Sequence, residues 1–381
     1  MADEPFLALS VPTLTSADAA AVARVVSDGW VGPIGPALRE LEDAVADYVG
    51  APHAVAVSSG TAALHLGLLA LGIRPDDVVV LPTLTFAATA FASVYVGARV
   101  ALVDVEPESW NLDPELLARA LRDLEAAGTP AKAVMPVDVY GRTYDYNAVR
   151  PIVQHYGIPL LEDAAEALGA THAGKSAGTL GEVGVFSFNG NKVITAGGGG
   201  MLVTQDEALA ATVRYLSTQA RTDVHWYEHE SIGYNYRMSS LQAALGLSQL
   251  GRLDEILARR RHIQALYARE LSGHPGISVT PSPRWGEGNA WLTTVLLTDI
   301  RSLDSLGQVR QNLYAKGIET RFLWKPLHQQ PVFAHLDSWL SGQADSLFGT
   351  GLCLPSSANM TDDDVLRVAR SLIQALENSN T

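Results

Sequence analysis

The sequence predicts an α/β protein, with a large α/β/α domain built on a mainly parallel sheet and a smaller C-terminal α+β domain. Three observations carry this. Short apolar runs alternate with helical stretches through the first 205 residues. Those runs are too continuously apolar for a sheet with one wet face, so they fit buried parallel strands with helices on both sides. A helical stretch over residues 239–271 then separates them from a region of mixed strand and helix signals.

HAVAVSSGTAALHLGLLALG (residues 53–72) reads as a strand, a turn and a helix. DVVVLPTLTFAATAFASVYVGA repeats the pattern, with the strand before Pro82 and the helix from about Ala87. ARVALVDV, KAVMPVDVYG, IPLLEDA and VGVFSF are further strands, each ending in polar or small residues. Leu241, Leu245, Leu250, Leu253 and Leu257 recur mostly three and four apart, and Gly273, Pro275 and Gly276 close the pattern. The expected division is residues 1–245 and 246–381, linked by one long helix over about 239–271. Beyond Pro283, NAWLTTVLLTDI reads as strand and LDSLGQVRQNLYAKG as helix.

With 381 residues, 47% of them hydrophobic, the chain can bury a large core. A net charge of −14 argues against nucleic acid as a partner. Cys353 is the only cysteine, which excludes an internal disulfide and leaves no cysteine-based metal site; no metal is expected. MADEPFLALS lacks the basic and apolar regions of a signal peptide, and no apolar run approaches about 18 residues. A cytoplasmic protein that does not enter membranes is the expectation.

In open α/β sheets, functional residues gather beyond the carboxyl ends of the strands. That rule marks residues 58–61, 83–86, 138–141, 162–163 and 187–192. Within FSFNGNKVITAGGGGMLV (residues 186–203), Lys192 is the only charge. Such a lysine either decorates a flexible glycine loop or is a desolvated amine, usable as a nucleophile toward carbonyl groups. Ser58, Ser59, Gly60 and Thr61 stand at a strand-to-helix turn, which either caps the helix or offers its free N–H groups to a phosphate. Asp163 closes a buried strand, where it either caps the next helix or pairs with a protonated ring nitrogen. Phe86 is a core aromatic or a cover for a flat ring. Taken in order along successive strand ends, these parts describe a site for pyridoxal 5'-phosphate.

On these residues the chain resembles the DegT-like sugar aminotransferases, which are fold-type-I pyridoxal phosphate enzymes. The resemblance extends over nearly the whole length through GWVGPIGPALRELE, SSGTAALHL, PTLTFAATA, EDAAEALGA, FSFNGNK, GYNYRMSSLQAALGLSQL, TRFLWKPLHQQPVF and GLCLPSS. It implies that Lys192 is the Schiff-base residue and proton carrier, that Asp163 meets the pyridine nitrogen, and that Phe86 stacks on the ring. Ser187, with Gly60 and Thr61, would bind the phosphate. Asn235 would reach the phosphate of the neighbouring subunit, which implies a homodimer with each active site at the interface.

Many members carry glutamine or histidine where Glu166 stands. A glutamate there, counted with the cofactor contacts, resembles a subgroup that also carries a stretch like STQARTDVHWYEHESIGYNYRM and aminates UDP-linked N-acetyl sugars. The implied reaction moves an amino group from L-glutamate to C4 of a UDP-linked 2-acetamido-4-keto-6-deoxy hexose in polysaccharide biosynthesis. A GDP-perosamine-type or dTDP-linked 4-keto sugar aminotransferase is the alternative. A dehydratase of the same fold would carry histidine in place of Lys192, and a non-catalytic, cofactor-bound regulatory protein would lack turnover. On the substrate side, Arg237, Arg321, Lys325 and His328 are candidate cations for a diphosphate, Trp30 and Trp324 candidate surfaces for sugar or base, and Asn189 a further contact.

Overall fold

The computed structural model describes residues 5–300 and 302–377. Helices α1 (Ser16–Ser27) and α2 (Pro36–Val49) lead into β1 (His53–Val57), α3 (Gly60–Ala70), β2 (Val78–Pro82), α4 (Ala88–Tyr95) and β3 (Arg99–Val103). Then come α5 (Pro114–Ala126), β4 (Ala131–Val134), α6 (Tyr146–Tyr156), β5 (Leu161–Asp163) and the short pair β6 (Thr171–His172) and β7 (Lys175–Ser176). They are followed by β8 (Val183–Ser187), β9 (Gly200–Thr204), α7 (Glu207–Ser217), α8 (Ser240–Leu250) and α9 (Leu253–Leu271). The C-terminal part holds β10 (Ile277–Val279), β11 (Thr293–Leu297), α10 (Leu303–Ala315), β12 (Arg321–Phe322), β13 (Ser338–Trp339), α11 (Gln343–Thr350), β14 (Gly351–Leu354) and α12 (Asp362–Glu377).

Two strand runs, β1-β9-β8-β5 and β13-β3-β2-β4, form the large sheet. Parallel bridges of Val134 with Leu160 and of Val137 with Asp163 join them. β2 is parallel to β3 and β4, and β5 to β8. β9 departs from the parallel pattern and runs antiparallel to both β1 and β8. β8 and β9 are consecutive antiparallel strands, joined by residues 188–199 with no helix between them to make a parallel crossover.

The continuous apolarity of the strands has a direct cause, which β2 illustrates. Val78 and Val80 pack with Leu117 and Leu121 of α5 and Val149 and Val153 of α6. Val79 and Leu81 pack on the other face with Leu66 of α3 and Ala90 of α4. Neither face is wet, so the period-2 alternation of polarity is lost.

The expected single helix over 239–271 is two helices. Gly251 and Arg252 break it, and Arg252, at φ −119° and ψ 11°, has left the helical region. Its guanidinium donates to Asp18 Oδ2 at 2.8 Å and to the Thr13 carbonyl at 2.9 Å. The leucine spacing runs on through the break because Leu250, Leu253 and Leu257 still enter one core.

A second, antiparallel sheet, β10-β11-β14-β12, is covered by α9, α10 and α12 around Ile263, Leu306, Val309, Val365 and Leu372. The chain crosses the expected boundary twice. Leu7 belongs to this C-terminal core, and β13 returns to pair with β3 at the edge of the large sheet. Among the described residues, no helix is long and apolar enough to cross a membrane.

Candidate active site

A cavity of about 320 Å³ opens at the carboxyl ends of β1, β2, β5 and β8. Its lining includes Gly60, Thr61, Phe86, Asp163, Glu166, Ser187, Asn189, Lys192 and Trp324, all singled out from the sequence. The turn after β1 is built by Ser59, whose extended backbone and Oγ, accepting from the Ala62 N–H at 3.0 Å, start α3. The first-turn amides of a helix have no intrahelical partner, and those of Gly60 and Thr61 stand at the cavity wall. A Cβ on Gly60 would lie 3.1 Å from the Ser187 Cβ, so a larger residue would crowd this corner.

The glycine run after Lys192 serves the packing around the site. A Cβ on Gly200 would lie 2.6 Å from the Gly60 nitrogen, and one on Gly199, at φ +110°, 2.5 Å from Met238 Cε. Only glycine lets β9 pass directly against the start of α3.

The charges of the site interlock. Asp163, at the end of β5, accepts from Thr89 Oγ1 at 2.7 Å and from the Ala165 N–H at 3.2 Å. Burial raises its carboxyl above the usual range, opposed by these two hydrogen bonds and by the charge of Lys192. Glu166 accepts from the Tyr140 N–H at 2.7 Å. Burial raises it too, against the nearby Lys192 charge. The Lys192 ammonium lies 3.6 Å from Glu166 Oε1 and 4.0 Å from the centre of the Trp291 ring. The lysine that is isolated among apolar residues in sequence thus stands between a carboxylate and an aromatic face. On the outer side, Phe86 meets Trp324 at 5.2 Å, and Trp324 stacks on Tyr140 at 6.1 Å and 9°.

Six sequence candidates lie outside this cavity. Arg237 is held in the protein, donating to Glu42 Oε1 at 2.5 Å and to the Ala56 carbonyl at 2.9 Å. His328 bridges Thr83 Oγ1 and Asp345 Oδ1, each at 2.8 Å. Arg321 pairs with Glu319 at 2.8 Å and Lys325 is exposed. Trp30 is half exposed on the approach to α2. Asn235 is exposed and accepts from Gln219 Nε2 at 3.0 Å. Sequence patterns show which residues are cationic, but not that a buried glutamate from α2 has already claimed Arg237.

Tyr140 falls within the marked stretch 138–141 without a role assigned to it, whereas Thr89 and Trp291 lie outside every marked stretch. Thr89 sits three residues after Phe86, in the first turn of α4, one turn beyond the strand-end stretch 83–86. Trp291 meets Asn191 from 100 residues away, and no local pattern links them.

The residues fit pyridoxal phosphate. A helix N-terminus with serine and threonine hydroxyls suits the phosphate. A buried carboxylate fixed by Thr89 suits a protonated ring nitrogen, Phe86 suits a ring face, and Lys192 brings an amine into the same cavity. Among the described residues, no group of histidine, cysteine, aspartate or glutamate could hold a metal ion.

Comparison with known proteins agrees with this geometry. The DegT/DnrJ/EryC1/StrS aminotransferase family profile matches residues 12–373. A GDP-perosamine synthase of Caulobacter vibrioides is 39% identical over 99% of this chain and 100% of its own length. The spore coat polysaccharide biosynthesis protein SpsC of Bacillus subtilis is 35% identical over 94% of each chain. The crystal structure of the aminotransferase TlmJ from Streptoalloteichus hindustanus superposes with a TM-score of 0.91 at 31% identity, covering 98% of this chain and 100% of that one.

Proposed function

The chain belongs to the DegT/DnrJ/EryC1/StrS aminotransferase family and is a pyridoxal phosphate-dependent aminotransferase; on that premise we propose that it moves an amino group from L-glutamate to C4 of a nucleotide-linked 4-keto-6-deoxy hexose. The observation that carries this reading is the meeting, in one cavity, of the Lys192 amine with the buried carboxylates of Asp163 and Glu166.

When bound, pyridoxal phosphate supplies the aldehyde that takes up the amino group and a ring that withdraws electrons. The chain's own residues do the rest. Lys192 would hold the cofactor, and its Nζ would carry the proton to and from the reacting carbon. Asp163, held by Thr89, keeps a negative charge opposite the ring nitrogen. Gly60, Thr61 and Ser187 hold the phosphate, and Phe86 covers the ring. Glu166 faces the Lys192 ammonium at 3.6 Å and keeps it on the cavity side. Asn189 and Trp324 would frame the sugar. The active unit is a homodimer in this reading, supported by the exposure of Asn235 outside its own chain's cavity.

Two nucleotides are in contention. The identity to a GDP-perosamine synthase along the whole chain favours a GDP-linked 4-keto sugar. Glu166 and the stretch from Ser217 to Glu230 favour a UDP-linked 2-acetamido sugar, and Glu166 lines the cavity. GDP-, UDP- and dTDP-linked 4-keto-6-deoxy sugars, assayed side by side with L-glutamate as donor, test the reading. We expect one of the first two to be used best. If the UDP reading holds, removing the acetamido group costs up to about 10⁴-fold in rate, because the polar groups built to meet it stay unpaired. No turnover of any nucleotide-linked 4-keto sugar would overturn the proposal.

A further inference from the structure

Trp291 stands two residues before β11 of the C-terminal sheet, about 100 residues from Lys192, whose cavity it lines. Its side chain is only 1% exposed. Its indole N–H donates to the Asn191 carbonyl at 2.6 Å. That carbonyl belongs to the peptide unit joined to the Lys192 nitrogen, and Ser10 Oγ also donates to it, at 2.8 Å. The ring face lies 4.0 Å from the Lys192 ammonium. One side chain therefore grips both the main chain that carries Lys192 and the charge at its tip.

Trp291 is itself held at several points. Its carbonyl accepts from the buried guanidinium of Arg260 at 2.6 Å, and its N–H donates to Asn289 Oδ1 at 2.9 Å. Tyr140 stacks on the indole at 6.4 Å and 17°, and the Tyr140 N–H also fixes Glu166. A tryptophan that merely fills a core needs one partner for its N–H. This one spends that bond on the lysine's own peptide unit and turns its π face to the ammonium, an arrangement that attracts a cation.

We propose that Trp291 is a positioning residue for Lys192, holding the free amine between its indole face and the Glu166 carboxylate so that it is aimed into the cavity. The C-terminal sheet thereby contributes to catalysis through a contact on the large sheet's lysine. The inference rests on the role proposed above for Lys192.

The test reconstitutes the full-length protein, stripped of cofactor, as wild type, Trp291→Leu and Trp291→Phe. The rate of covalent attachment of pyridoxal phosphate is followed by absorbance. In that step the Lys192 nitrogen condenses with the aldehyde carbon, forming one C=N bond and releasing one water. Pyridoxamine phosphate, which has no aldehyde and needs no lysine, is titrated in parallel. We expect Trp291→Leu to slow attachment about tenfold to a hundredfold, the cost of misplacing a reacting group by about 1 Å. Trp291→Phe, which keeps a ring but loses the N–H, should fall between Trp291→Leu and wild type. Affinity for pyridoxamine phosphate should stay within about threefold in both, because phosphate and ring contacts are untouched. Should Trp291→Leu fail to fold, Trp291→Phe decides alone. Unchanged attachment rates, or an equal loss of affinity for pyridoxamine phosphate, would overturn the inference. A wild-type protein that attaches no pyridoxal phosphate would overturn the role of Lys192 instead.

Discussion

Changing Asp163 to asparagine separates the electrostatic part of this site from its architecture. The carboxylate accepts two hydrogen bonds, from Thr89 Oγ1 at 2.7 Å and from the Ala165 N–H at 3.2 Å. Asparagine keeps an acceptor for Ala165. It turns an amide toward Thr89, whose hydroxyl can rotate to accept, so neither partner is left unpaired. Each retained bond is worth about 1 kcal/mol, and losing the buried charge removes a desolvation cost. Stability should therefore change by less than about 1 kcal/mol. Turnover behaves differently, because a fixed charge in a dry site acts on the reaction without reorganising. Removing such a group costs about 10²–10³-fold, or about 2.7–4 kcal/mol. Thermal denaturation and steady-state turnover on one Asp163→Asn preparation read the two quantities separately. Turnover within about threefold of wild type would refute the reasoning, since the ring nitrogen would then have another partner. A collapse of the melting temperature would refute it from the other side, showing Asp163 to be mainly architectural.

Asp138 and Glu162 lie fully buried behind the site, and burial, then the Glu162 charge, raise Asp138 well above its usual 3.8. A raised carboxyl stabilises the fold below the unfolded value of 3.8, and that contribution is lost as pH rises through the folded value. Asp138→Asn, which keeps an acceptor for the Tyr144 N–H, escapes that loss. Its stability relative to wild type should rise by about 1.4 kcal/mol for each pH unit between 3.8 and the raised value, and level off above it, measured by denaturant unfolding at a series of pH values from 4 to 9; a pH-independent difference would count against the buried acid pair. If Asn235 serves the partner's cavity, mixing inactive Lys192→Ala and Asn235→Ala chains should restore about a quarter of wild-type activity, because half the dimers are hybrids with one intact site each. No recovery after verified subunit exchange would place Asn235 outside the shared site.

Much of this protein is determined by local sequence. Buried strands announce themselves because both faces of β2 are covered, and their ends locate Gly60, Phe86, Asp163, Ser187 and Lys192 before any contact is known. Chain order alone brings these residues to one edge, since each follows a strand of the same sheet. The antiparallel sense of β9 and the break at Arg252 are not local properties. The first shows in the pairing of β9 with both β1 and β8, and at the second Arg252 leaves the helix where it pairs with Asp18. Tertiary structure also decided which charges are free. Glu42 pairs with Arg237, and Thr83 with Asp345 holds His328, so two expected substrate cations have partners within the chain. It decided the company of Lys192 as well. Glu166 comes from the turn after β5 and Trp291 from the segment that leads into β11 of another sheet. Ion pairs and ring contacts form across distances in sequence that no periodicity encodes. They depend on where the whole chain has already folded.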